Sequence, residues 1–401
     1  MADNTLFTPP RFFSEVKFHR HTDRSIGWLE LFYDLVYVAT LIQIGNFLSD
    51  NVSLIGFGQF AVMLSVVWWA WTGETFYQNR YVVDDLTHRL LVFIQMFAVA
   101  SLGISISGAF GDLYIQFTLA YVVIRIILII MYVRAARSHP ETAELSHGYA
   151  VGFFIGILVW MGSLFLPFEI HWVGWLIGAG VELAVPLFPK MRRLQREAGV
   201  DNFHISERFG IFTIIVLGES FIKVLDEAQG AVITLNPIVF SVFGLIVLYS
   251  LWWLYFHDTA GKLINFAGRI KPFAWVYGHL PLSASLIIFG VAAKKVFIAT
   301  FEHPNDALDP KYRLLYTVAI VMYLVALAII DFGIVEEHST RQVLIHVISA
   351  VAVGIIGVVA TGLTPVWFVI IVAIVMIIQV VYDLYISYQH PSEMSGVPVH
   401  D

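Results

Sequence analysis

Cysteine is absent from the 401-residue chain, which excludes disulfides, thiolate metal sites and cysteine nucleophiles. Charge is scarce as well. Only 13% of residues are Asp, Glu, Lys or Arg, against about 25% in soluble domains. The formal net charge is -7 and no segment concentrates basic residues, so a nucleic-acid partner is not expected. A His-rich zinc motif, a nucleophile elbow, a phosphate-binding loop and an intramembrane-protease signature are also missing. An intramembrane enzyme is therefore the weakest functional class. The sequence names no cofactor.

What the chain does have is apolar length. Hydrophobic residues make up 58% of it, more than a soluble fold of this size can hide, so its solvent is lipid. Crossing a hydrocarbon core takes roughly 20 apolar residues. Runs of that kind are read at 29–48, 55–78, 88–110, 113–133, 148–167, 170–189, 208–225, 237–257, 273–297, 313–332, 342–360 and 365–386. The fold class expected is an all-α polytopic bundle of about twelve transmembrane helices. Residues 1–27 are polar, with Arg11, Lys17, Arg20 and Arg24, and the first helix is expected to act as its own insertion signal.

Orientation follows from the basic residues. Seventeen of the 23 fall on one side, four (Lys294, Lys295, Lys311 and Arg313) on the other, and Arg125 and Lys223 lie within spans. The expectation is a multipass protein of the inner (plasma) membrane with both termini cytoplasmic. The aromatic residues, 15% of the chain, are expected to face lipid or form interfacial belts.

The chain repeats itself. Trp68-Trp69 recurs as Trp252-Trp253, and Trp71, Glu74 and Thr75 correspond to Tyr255, Asp258 and Thr259. Glu30-Leu31-Phe32 pairs with Glu207-Arg208-Phe209, and His88 with His279. Three landmarks in the same order predict two tandem six-helix repeats, 28–190 and 205–387. A cytoplasmic segment 1–27, a cytoplasmic linker 191–204 and a cytoplasmic tail 388–401 complete the division. Halves with even span numbers share one orientation, related by a pseudo-twofold axis along the membrane normal.

Several stretches carry a resemblance. Trp28-Leu29-Glu30-Leu31-Phe32-Tyr33-Asp34-Leu35-Val36 is similar to the opening signature of the bacterial low-temperature-requirement A family. Trp68-Trp69-Ala70-Trp71 running to Arg80 resembles the same family, as do Glu207-Arg208-Phe209-Gly210 with Thr213 to Glu219, and Tyr277-Gly278-His279. The likeness covers nearly the whole chain. It implies a multipass membrane protein linked by name to growth in the cold, with no molecular activity to carry over.

Ionisable groups inside a bilayer cost at least about 2.5–3.5 kcal/mol each near its centre, so those that persist usually face a bundle interior. Each half has an acid at the head of its first helix, another near the end of its second and a histidine at the head of its third. The sets are Glu30, Glu74 and His88, then Glu207, Asp258 and His279. Two carboxylates and an imidazole can hold a proton or ligate a divalent metal ion. Glu30 and Glu207 could equally serve as helix caps.

Asp34 follows Glu30 by one turn. Glu219 and Lys223, at i and i+4, can neutralise each other deep in their span, whether as a structural ion pair or as part of a path. Glu182 and Arg125 are read as partners of each other or of Asp34. Gly152/Gly156 and Gly174/Gly178 form small-xxx-small packing seams.

The leading expectation is a transporter or channel for a small solute or ion, its acidic and histidine groups lying between two pseudo-symmetric halves. A membrane sensor or lipid- or ligand-binding protein linked to low-temperature growth is the alternative. The partners expected are the lipid bilayer and a small solute or ion, with room for a homo-oligomer.

Overall fold

The computed structural model describes residues 17–18, 26–83, 85–228, 234–258, 262, 264, 270–334 and 339–389. Thirteen α-helices run through them: α1 (Trp28–Asp50), α2 (Leu54–Arg80), α3 (Leu86–Ser105), α4 (Tyr114–Ser138), α5 (Ala143–Ser163), α6 (His171–Ala184), α7 (Pro189–Ala198), α8 (Asn202–Ala228), α9 (Leu235–Asp258), α10 (Lys271–Glu302), α11 (Pro310–Phe332), α12 (Ser339–Val359) and α13 (Pro365–Gln389). Among the described residues, strand is confined to a ribbon of β1 (Lys17–Phe18) antiparallel to β2 (Tyr81–Val82), with one isolated bridge between Ile264 and Ile334. The protein is an all-α polytopic membrane bundle.

Among the described residues, eleven helices are long and apolar enough to cross a membrane. Each of the twelve runs read from the sequence coincides with a long helix. The one outside the apolar eleven is α8, which at 27 residues is long enough at about 1.5 Å per residue. It carries Glu207, Arg208, Glu219, Lys223, Asp226 and Glu227. The remaining helix, α7, is short and basic and turns the expected linker 191–204 into mostly helix. It ends at Gly199, whose φ of +74° suits glycine and stops the chain from coiling further. The segment 1–27 and the tail 388–401 lie mostly outside the described residues.

Local sequence sets the helix starts. Glu30, in the first turn of α1, accepts a hydrogen bond from the Gly27 amide at 2.9 Å. Ser53 accepts from Gly56 N–H at 3.0 Å ahead of α2, and Asp85 from His88 N–H at 2.8 Å ahead of α3. Each satisfies an amide that has no partner within the helix.

The chain forms two compact units, Met1–Arg208 and Phe209–Asp401. In the first, α1 packs on α2 and α3, and α3, α4, α5 and α6 follow as successive neighbours. The glycine seams bring α5 and α6 together. A Cβ at Gly156 would collide with Glu182, at Gly178 with Trp160, and at Gly174 with Ser163. In the second unit α10, α11 and α12 are successive neighbours, while α9 lies against α13.

The aromatic residues divide: Trp28, Phe93, Phe97, Phe165 and Trp367 are exposed, as lipid-facing or belt residues would be, while others depart from that expectation. Trp68, Trp71, Trp160, Trp175 and Trp275 are fully buried, as are Tyr33, Tyr37, Tyr77 and Tyr121. Trp71 and Trp175 donate through their indoles to Asp34 and Thr118, and the Tyr33 and Tyr121 hydroxyls donate to Tyr37 and Glu182, contacts that a lipid-facing ring could not make.

Candidate functional site

Three helices of the first unit converge on a buried polar network. The guanidinium of Arg208, at the start of α8, donates to Asp34 Oδ1 at 2.7 Å and to Gln78 Oε1 at 2.7 Å. Trp71 Nε1 donates to the same Asp34 oxygen at 2.7 Å. Gln78 in turn donates to Glu74 Oε1 at 2.9 Å, one turn back along α2. Glu30 stands 3.8 Å from Arg208 and 3.2 Å from His204 Nε2.

A backbone clasp fixes the approach to α8. Asn79 donates to the Asp201 carbonyl at 2.9 Å and accepts from the Asp201 amide at 3.1 Å. The i, i+4 spacing from His204 to Arg208 then presents both side chains to α1 and α2.

Asp34, Glu74 and Arg208 have no solvent exposure, and Glu30 has 4%. Among the described residues, Asp34 Oδ2 and Glu74 Oε2 have no hydrogen-bond partner. Gln95 of α3 stands beside Glu74. Its amide donates to the Ile124 carbonyl at 3.3 Å, and its own carbonyl oxygen is unpartnered. The unpartnered oxygens of Asp34 and Glu74 are acceptors that a proton or small cation would satisfy.

Sequence reasoning found Glu30, Asp34 and Glu74 but not their counter-ion. Arg208 counts with the loop cations in the sequence, whereas the fold buries it against Asp34. The usable signal was its place one turn beyond His204, just before the apolar stretch of α8 that begins at Phe209. Glu30 also caps its own helix, so the capping and network readings both apply to it. Glu207 is partly exposed, near the charges of Glu30 and Asp201. His88 is buried with its ring stacked on Tyr77 at a centroid distance of 6.5 Å.

Arg125 and Glu182 are partners of each other at 2.7 Å, with Tyr121 OH bridging them. Asp34 therefore belongs to Arg208 and not to Arg125. A groove of about 740 Å³ opens on the opposite face of α1 from Asp34, between α1 and α3. Its polar lining is Thr40, Gln43, Asn46, Asp50, Asn51 and Ser107.

In the second unit Glu219 and Lys223 pair along α8 at 3.5 Å. His279 is buried, and both its ring nitrogens are engaged, Nδ1 with the Trp275 carbonyl at 2.7 Å and Nε2 with Tyr255 OH at 3.0 Å. The side chain of Asp258 lies outside the described residues. His346 meets Asp331 at 3.1 Å and Gln379 on its other nitrogen. Among the described residues no three His, Asp or Glu side chains gather as a metal-ion set.

Comparison with known proteins agrees with this architecture. No solved structure matches the chain. It is 27% identical over 275 residues, 65% of this chain and 67% of the relative, to an uncharacterised protein of Rhizobium meliloti (strain 1021). Residues 25–380 match the family described as bacterial low temperature requirement A protein, and the chain, a multipass membrane protein, belongs to that family.

Proposed function

We propose that this protein is a transporter or channel for a small solute or ion, and that the buried network of the first unit is its proton- or cation-handling centre. One observation carries the reading. Three carboxylates, Glu30, Asp34 and Glu74, face the single guanidinium of Arg208, with a carboxylate oxygen left unpartnered on both Asp34 and Glu74. Uncompensated charge at such depth is costly, so the network draws positive charge from solution. A proton on Glu74 would turn one unpartnered acceptor into a donor and remove one of the excess negative charges. Glu74 is then the group that loads and unloads, while Asp34 and Glu30 hold Arg208 and His204 in place.

The two units are read as copies of one six-helix design, and their internal packing supports this. In the first, Thr40 Oγ1 lies 3.3 Å from the Val36 carbonyl one turn back and 3.3 Å from the Val99 carbonyl of α3. A Cβ at Gly103, four residues after Val99, would lie 3.0 Å from Thr40. In the second, Ser220 Oγ makes the same pair of contacts with the Val216 and Leu286 carbonyls, at 3.4 and 2.8 Å. Gly290, four after Leu286, meets Ser220 in the same way. This pairing shifts the sequence match by three residues on the first helix and four on the third. An inner-membrane location with cytoplasmic termini is the orientation that accompanies the proposal.

The test is flux in proteoliposomes loaded with a pH-sensitive dye. Glu74→Gln is expected to abolish proton-linked flux or its pH dependence while the protein still purifies as a folded species. Normal flux in Glu74→Gln at every pH would refute the assignment.

A further inference from the structure

We infer that the groove between α1 and α3 is a binding site for a small cation of the ammonium class. The inference deepens the transport reading and rests on it for its meaning. The groove follows α1 from Val36 to Asp50, about 21 Å at 1.5 Å per residue, from mid-helix to the helix end. Its volume of about 740 Å³ falls within the range of small-molecule pockets, about 300–1,000 Å³. Gln43, Asn46 and Asn51 offer amides, Thr40 and Ser107 hydroxyls, and Asp50 a carboxylate. Among the described residues no lysine or arginine lines it. The C-terminal ends of α1 and α3 both lie along it, neither with a basic residue in its last turn. The negative ends of two helix dipoles thus add to the charge of Asp50.

The second unit indicates the class of ligand. Counting from the matched contacts of Thr40 and Ser220, Gln43 corresponds to Lys223 and Phe47 to Glu227. From Gly103 and Gly290, Ser107 corresponds to Lys294. In the second unit, then, the equivalent positions between α8 and α10 hold the protein's own ammonium groups. Lys294 pairs with Glu227 at 2.6 Å across the two helices, and Lys223 with Glu219 at 3.5 Å. In the first unit those lysines are replaced by an amide and a hydroxyl, and the space remains open. The same fold fills this position with ammonium in one copy and leaves an open groove in the other, where Ala39 and Phe47 stand for Glu219 and Glu227 and Asp50 supplies the carboxylate.

The test uses the full chain in nanodiscs of zwitterionic lipid, with methylammonium chloride titrated against sodium chloride at equal ionic strength. Melting temperature and bound radiolabelled methylammonium are both read. Saturable binding and a melting temperature raised above that in sodium are expected. Asp50→Asn should weaken binding about tenfold, the loss of one charge-assisted contact. Gln43→Lys, which installs the second unit's residue, should abolish binding with the melting temperature kept or raised. Methylammonium no more stabilising than sodium, or binding undiminished in both variants, would overturn the inference. Acetamide binding as tightly as methylammonium would also overturn it, since the site would then have no charge preference. Failure of the transport reading looks different: methylammonium would still bind, while Glu74→Gln left flux untouched.

Discussion

Replacing Glu182 with glutamine leaves the Arg125 guanidinium buried without its counter-ion. Both side chains have no solvent exposure and stand 2.7 Å apart. Breaking a buried ion pair from one side costs about 3–5 kcal/mol, because the remaining charge has no compensation. The surroundings set where in that range the loss falls. Arg125 keeps two hydrogen bonds to Tyr121 OH, at 2.9 and 2.7 Å. It also keeps the ring faces of Tyr121 and Phe153, 4.8 and 4.9 Å from its carbon.

Cation–π contacts of this kind contribute about 0.5–2 kcal/mol each, which places the loss nearer 3 than 5 kcal/mol. For a unit of 208 residues, each kcal/mol moves the midpoint by about 2–4 °C, so Glu182→Gln should melt about 10 °C lower. Fluorescence-detected melting in mild detergent measures it, with Arg125→Met and the Arg125→Met/Glu182→Met double variant alongside. The double variant should recover most of the loss, since apolar side chains of similar size need no counter-ion. A Glu182→Gln midpoint within about 2 °C of wild type, or strict additivity in the cycle, would refute the reasoning.

Gly156→Ala drives a methyl into the Glu182 carboxylate and should lower the midpoint, and its loss and that of Glu182→Ala should be less than additive in the double variant. Gly290→Ala should destabilise more than Gly103→Ala. Its Cβ meets the Ser220 backbone at 2.9 Å, whereas that of Gly103 first meets the Thr40 hydroxyl at 3.0 Å; comparative melting ranks the two. Asn79→Ala removes both hydrogen bonds to the Asp201 backbone, about 1 kcal/mol each. Faster amide exchange confined to the start of α8 is the expected signature, and unchanged protection there would contradict the clasp. Trp71→Phe deletes one of the two donors to Asp34 Oδ1 and should shift the pH dependence of flux without abolishing it.

Much of this protein was legible in its sequence. Apolar runs of membrane-spanning length, too little charge for a soluble core and the family-like stretches settled an all-α multipass bundle, because a lipid solvent permits few other folds. The i, i+4 pairing of Glu219 with Lys223 was equally legible, since helical periodicity alone puts both on one face. The Arg125–Glu182 pair was one of two options, and only the close approach of α5 to α6 along their glycines decided it.

The partner of Asp34 could not be read at all. Arg208 is 174 positions away, among residues that look like loop cations, and only the placing of the start of α8 beside α1 and α2 buries it. The groove was hidden for the same reason. Gln43, Asn46 and Asp50 recur along one side of α1, but whether that side meets a neighbour or stays open depends on how α3 packs beside it. Sequence determines which residues share a helix face, because the period of the helix is fixed. Tertiary structure alone decides what each face meets, because contacts between distant segments follow from packing that no local pattern encodes.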